Sequence, residues 1–202
     1  MVLSGRSSYD EAVSDDGFGR APHGLEFLQA FLNTGYHAPP DGIDPLSDTN
    51  VAQAWLESAL ARFQPRAAAR VSRDGQPGIV LDPHDVKSLR GVRLALTELV
   101  AQGRGSRALT ANLRVGIDDD GNTVVEPRGS GAGQVLGILL SEILVAQQIG
   151  TWARLKICRN HKCAIAFYDH SPNASAVWHN AKRCGNAVNL RRSRRRRRTD
   201  TP

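Results

Sequence analysis

The chain has 202 residues, 41% of them hydrophobic and 23% charged, with 19 Gly, 10 Pro and three Cys. This suits one sizeable core with a small appendage, and excludes a disulfide-dense secreted scaffold or a wholly disordered chain. The net charge of +6 is unevenly placed: residues 151–202 hold thirteen Lys and Arg against two Asp, a net of +11, while residues 1–150 carry a net of −5.

An acidic body with a strongly basic end predicts a polyanion partner for that end. No run approaches the ~20 apolar residues of a membrane span. The greasiest window, 135–145, is interrupted by Ser141 and Glu142. The N-terminus lacks the basic and apolar stretches of a signal peptide, so the expected location is the cytoplasm.

Residues 1–22 are rich in Ser, Gly and Asp without apolar periodicity, and read as a flexible leader. A first helix starts near Gly24, with Leu25, Leu28, Phe31 and Leu32 at helical spacing, and stops at Asn33-Thr34-Gly35. After a Gly- and Pro-bearing loop, Ser47 or Asp48 caps a second helix carrying Val51, Trp55, Leu56, Ala59, Leu60 and Phe63 on one face. Residues 64–81 carry no clear pattern.

Asp82 as N-cap and Pro83 as first residue open a third helix, which Gly103 stops. Residues 106–113 read as a short helix. Alternation of Leu113, Val115 and Ile117 before Asp118-Asp119-Asp120-Gly121-Asn122 predicts a hairpin closing through Thr123–Val125. Residues 128–133 are a connector. A fourth helix, from about Gln134 to Gly150, is apolar almost all round and is expected at the centre of the core. The fold class is therefore mainly α with a small β-hairpin. An α-rich domain covers 23–150, a finger 151–190 and an Arg-rich tail 191–202.

The chemistry lies in the finger. All three cysteines fall within residues 158–184, spaced Cys158-x4-Cys163-x15-His179-x4-Cys184. Tetrahedral Zn²⁺ takes four Cys or His donors, commonly as two close pairs on separate turns. The pattern supplies a closed Cys₃His set for one structural Zn²⁺, with no open position for catalysis. His161 and His170 compete as fourth ligand, but only His179 completes two equally spaced pairs. The plainer alternative is three buried structural thiols with a chance histidine nearby.

The segment 158–186 resembles the CGNR zinc-finger domain. The matching residues are Cys158, Cys163, the stretch Phe167-Tyr168-Asp169-His170-Ser171, Trp178-His179 and Cys184-Gly185-Asn186-Ala187. Residues 24–150 resemble the ABATE domain that accompanies this finger, through Phe31-Leu32-Asn33-Thr34 and Trp55-Leu56. The chain departs from the finger's pattern twice: His179 replaces the third Cys ligand, which zinc accepts, and Ala187 replaces the Arg of the tetrad. The resemblance implies a stress-associated bacterial transcription regulator whose N-terminal domain senses a small-molecule effector or forms a homodimer. Asn33, Thr34 and Trp55 are candidates to line the effector cleft, although a helix stop and a core Trp are the favoured explanation of them.

Two strands, 153–157 and 164–168, are expected to flank the first knuckle, in a treble-clef-like arrangement. Asn173 or Ser175 would cap a short helix, and Trp178 would pack over the metal site or against the core in preference to stacking on a base. The second ligand pair leads into a basic helix from Asn186 to about Arg198. Its candidate contacts to double-stranded DNA are Lys182, Arg183, Arg191, Arg192, Arg194, Arg195, Arg196, Arg197 and Arg198 on phosphates, with Asn186 and Asn189 on base edges.

The Arg191–Arg198 tract is expected to supply the contact that Ala187 cannot. Full engagement of its seven Arg would give a log–log salt slope of about −6. RNA or an acidic protein is the alternative partner. Enzyme classes lack their signatures: there is no P-loop and no His-Glu-x-x-His, and Gly129–Gly133 has no accompanying Lys. His84 and Asp85 fall at a helix start, beside Asp82. A metal-dependent nuclease would need a second metal set, for which only His161, Asp169 and His170 are at hand.

Overall fold

A helix of nine residues sets the architecture. In the computed structural model, which describes residues 19–22, 24–35, 42, 44–68, 78–105 and 107–199, helix α1 (Leu25–Asn33) buries every residue except Glu26. It is enclosed by α2 (Thr49–Phe63), α3 (Pro83–Gln102), α4 (Gly131–Gln148) and strand β4 (Ala166–Tyr168). Phe27 and Phe31 pack on Trp55 of α2, with ring centroids 6.2 and 6.1 Å apart. Among the described helices the most enclosed is thus α1. The fourth helix buries a broad face but leaves Leu144, and Ile149 at its C-cap, exposed.

The helix ends follow their capping chemistry. Asp48 accepts from the N–H groups of Asn50 and Val51 and begins α2. Asp82 and Asp85 form a reciprocal capping box, Pro83 occupies the first turn, and Gly103 closes α3 at φ +71°. Asp85 also accepts from Ala132 N–H at 2.8 Å, so one carboxylate joins the starts of α3 and α4. Buried Glu142 of α4 lies against Gly24, where a Cβ would sit 1.7 Å from Oε2. This brings a carboxylate to the positive end of α1, and only glycine leaves room for it. At the other end of α1, Arg93 forks onto Asp44 at 2.7 and 2.8 Å and donates to Thr34 Oγ1 at 2.9 Å.

Strands β1 (Leu113–Ile117) and β2 (Thr123–Pro127) form an antiparallel hairpin with Leu113 opposite Pro127 and Ile117 opposite Thr123. Its turn is held by Asp118 Oδ1, which accepts from Asp120 and Asn122, and by Gly121 at φ +81°. The base of the hairpin rests on Gly137 of α4, where a Cβ would come within 2.8 Å of Pro127 Cβ. The described residues before it, 107–112, are not helical. Arg128 N–H bonds to Asn112 O at 2.9 Å, so Asn112 is drawn into the ladder and not into a helix.

A second hairpin pairs β3 (Leu155–Ile157) with β4, after a 3₁₀ turn at Trp152–Arg154. Its strands are shorter than 153–157 and 164–168, because the 3₁₀ turn takes the first residues and Ala164 sits at φ +55°. The two-residue period divides its side chains between two cores. Leu155, Ala166 and Tyr168 join the large helical core, whereas Cys158, Ile165, Phe167 and Cys184 form a small one. The hairpin is a wall common to both.

Residues 171–174 make a turn and not the short helix expected from Asn173 or Ser175; Ala174 has φ +46°. The chain then passes through a π-helical turn, Ala181–Gly185, into α5 (Asn186–Thr199). Of the expected leader, residues 1–18 lie outside the described residues, whereas Ala21 is buried and its N–H donates to Gln29 at 2.9 Å. No helix among the described residues is long and apolar enough to cross a membrane.

Candidate metal centre and basic helix

The first knuckle is a tight turn built on Asn160. Its carbonyl accepts from Cys163 and Ala164 N–H at 2.7 and 3.2 Å, while Cys158 N–H donates to Ile165 O at 2.8 Å. These bonds place both sulfurs on the same side of the turn. The second pair comes from the bend at 178–179 and from the π-helical turn, whose start is capped by Asn180 accepting from Arg183 N–H at 2.9 Å.

The ligand atoms of Cys158, Cys163, His179 and Cys184 all lie within 4.8 Å of one another. His179 Nδ1 is 3.2 Å from the Cys163 sulfur and 3.7 Å from that of Cys184. A tetrahedral zinc with Zn–S and Zn–N bonds near 2.3 and 2.05 Å separates sulfur from nitrogen by about 3.6 Å. The spacing therefore fits one structural zinc ion. His161 is exposed and His170 Nε2 lies 3.0 Å from Arg20 O, so neither competing histidine enters the set.

The thiols carry the electrostatic mark of such a site. A hydrogen bond from Cys163 pulls the Cys158 thiol well below the usual thiol range. The same bond, then burial, pushes the Cys163 thiol upward. Two close sulfurs thus compete for one proton, a conflict that a divalent cation removes by binding both as thiolates.

Around this centre the small core is compact. Trp178 packs against Cys158, Ile165, Phe167 and Cys184, over the metal site as expected. Its ring also approaches Gly185 so closely that a Cβ there would lie 3.3 Å away, which explains the glycine after the last ligand. The loop from 169 to 176 is held from the β3 side. Arg154 donates to the carbonyls of Asp169, Ser171 and Pro172 at 2.9, 2.7 and 3.3 Å. The Lys156 ammonium reaches Asp169 Oδ2 at 2.6 Å, Ala176 O at 3.1 Å and Ala174 O. Burial opposes ionisation of Asp169, but Lys156 and the N–H groups of Ser171 and Ala176 hold it well below the usual carboxylate range. Two of the thirteen basic residues counted toward a polyanion surface are therefore internal clamps.

Helix α5 projects beyond the centre. Lys182, Arg183, Asn186, Asn189, Arg191, Arg192, Arg194 and Arg196 are exposed, while the side chains of Arg195, Arg197 and Arg198 lie outside the described residues. Arg191 has a further role that its place in an arginine run concealed. It follows Ala187 by one turn on the same face, and its guanidinium donates to Asn160 Oδ1 at 2.5 Å. The helix is thereby tied to the first knuckle. No regular spacing points to Asn160, and only its position between two ligands could have marked it.

Asn33, Thr34 and Trp55 have packing roles. Asn33 and Thr34 are buried, Asn33 pairs with the backbone of Ala166, and Trp55 stacks on α1. A cavity of about 770 Å³ lies between the C-terminal end of α3 and the shared hairpin, lined by Leu99, Val100, Trp152, Ile157 and Arg159 among others. No second cluster of metal-ligating residues occurs among the described residues.

No curated protein matches the chain. The segment that holds the four donors, the Trp178–Gly185 contact and most of the helix that follows, residues 154–197, matches the CGNR zinc finger family model.

Proposed function

We propose that this protein is a DNA-binding transcription regulator that holds α5 against duplex DNA, with zinc fixing the helix to the body. The observation that carries this reading is the Arg191–Asn160 bond, which ties a helix of exposed arginines to a metal knuckle. The helix then enters binding with its direction set, so less ordering entropy is lost. An α-helix fits the major groove of B-DNA, whereas the major groove of A-form RNA is too narrow to be read by side chains; this favours DNA. The arginines supply phosphate affinity, and Asn186 and Asn189, exposed on the first turns, are the candidates for adenine edges. Four protein donors leave zinc no open position, which supports a structural ion in a protein that is not an enzyme. On this reading the protein acts in the cytoplasm, at the nucleoid, and residues 24–150 form its effector or assembly domain, the stress-linked part of the regulator.

Titration of labelled duplex over a salt series tests the proposal. The full chain should bind with a clear negative log–log slope, and a chain ending at Leu190 should lose most of both affinity and slope. Equal binding by the two chains, or tighter binding to single-stranded RNA than to duplex DNA, overturns it.

A further inference from the structure

The β1–β2 hairpin uses only part of its apolar face. Leu113 and Pro127 at its base sit on Gly137 of α4, but Val115 and Ile117 on the same face are 66% and 76% exposed. Hydrogen bonds from Arg128 to Asn112 and from Asp118 to Asn122 set the alternation of the ladder. The N–H and C=O groups of Leu113, Val115 and Ile117 therefore point away from β2, along an open edge. The opposite edge is blocked, because Pro127 occupies an outward position there and has no N–H to offer. Among the described residues nothing pairs with the β1 edge, and it lacks the lysine or proline that usually protects an exposed strand.

Charge along the hairpin selects the occupant. Its tip carries Asp118, Asp119 and Asp120, whereas its base carries Arg114 and Arg128 around the single Glu126. In an antiparallel pairing of two such strands, each acidic tip comes to the basic base of the other. We propose that β1 pairs with β1 of a second copy of this chain about a two-fold axis near Val115, forming a four-stranded sheet. Centred there, Leu113 faces the partner's Ile117, all three outward residues bond, and the even-numbered face sets Arg114 diagonal to the partner's Asp118. The exposed Val and Ile side chains of both strands then form one continuous apolar strip. This inference stands apart from DNA binding, since it uses no residue of the finger.

Sedimentation velocity of the full chain at micromolar concentrations tests it. The expected species has twice the mass of the 21.9 kDa chain. Val115→Pro removes an outward N–H without breaking a β1–β2 bond, and Ile117→Lys places a charge on the exposed strip. Both should sediment as monomers with an unchanged far-UV circular dichroism spectrum. A monomeric wild-type chain, or Ile117→Lys remaining a dimer, overturns the proposal even if Val115→Pro misfolds.

Discussion

The side-chain amide of Asn33 pairs with the backbone of Ala166 as a strand would, donating to its carbonyl at 2.9 Å and accepting from its N–H at 2.8 Å. One residue at the end of α1 thereby carries the sheet pattern onto the outer strand of the finger hairpin. The Ala166 carbonyl also receives Gln29 Nε2 at 3.3 Å, but among the described residues Asn33 is the one acceptor for the N–H. In Asn33→Ala that buried N–H loses its acceptor, a loss of about 1–3 kcal/mol. The urea midpoint should fall accordingly with an unchanged slope. An unaltered midpoint would return Asn33 to the reading of a cleft residue.

This contact also shows where sequence reading stops. Caps at Asp48, Asp82 and Gly103 were legible because they act on the chain within a few residues of themselves. The metal set was legible for the same reason, as two short spacings of donor types that zinc requires. Asn33 and Ala166 lie 133 positions apart, and nothing local distinguishes a helix-ending Asn from one that completes a distant strand. At the end of the helix expected over 106–113, Asn112 joins the ladder instead, because its partner, Arg128, follows the hairpin turn. Arg191 was hidden by its neighbours: in a run of arginines only the fold separates a brace from a phosphate contact.

Asp169 links finger stability to pH. Its side chain is 1% exposed and paired with Lys156, so its folded pKa lies below the unfolded value. The resulting stabilisation is fully present above the ordinary carboxylate pKa of about 4 and is lost as pH falls below it. Asp169→Asn should cost about 3 kcal/mol at pH 7, since it leaves a largely buried ammonium without its counter-charge. Unfolding curves at pH 7 and pH 3 should show the wild type approaching the variant at the lower pH. A constant difference between them would refute the assignment.

Metal content follows from the donor set. Purified protein should contain one zinc per chain, since the four ligand atoms converge on a single point. His179→Cys converts the set to four sulfurs, another common structural combination, and should retain one equivalent. His179→Ala should fall well below one. Chelation should weaken the small core around Trp178 while the larger helical core, which has its own buried cluster, persists. Tryptophan emission would report this. The site assignment fails if His179→Ala keeps its zinc.

Arg191 and Arg194 should separate bracing from phosphate contact. Arg194 is exposed along α5, and on the proposed function Arg194→Gln reduces the salt slope by about 0.9, the share of one phosphate. Arg191 spends its guanidinium on Asn160, so Arg191→Ala should weaken binding with little change in slope, because it loosens the helix without removing a phosphate contact. Ala187 lies one turn earlier on the same face, where an arginine would also be within reach of the knuckle. Ala187→Arg placed on the Arg191→Ala background should then restore part of the affinity, again at constant slope. A lower slope for Arg191→Ala, with no recovery in the double variant, would make Arg191 another phosphate ligand and leave the knuckle without its tie to α5.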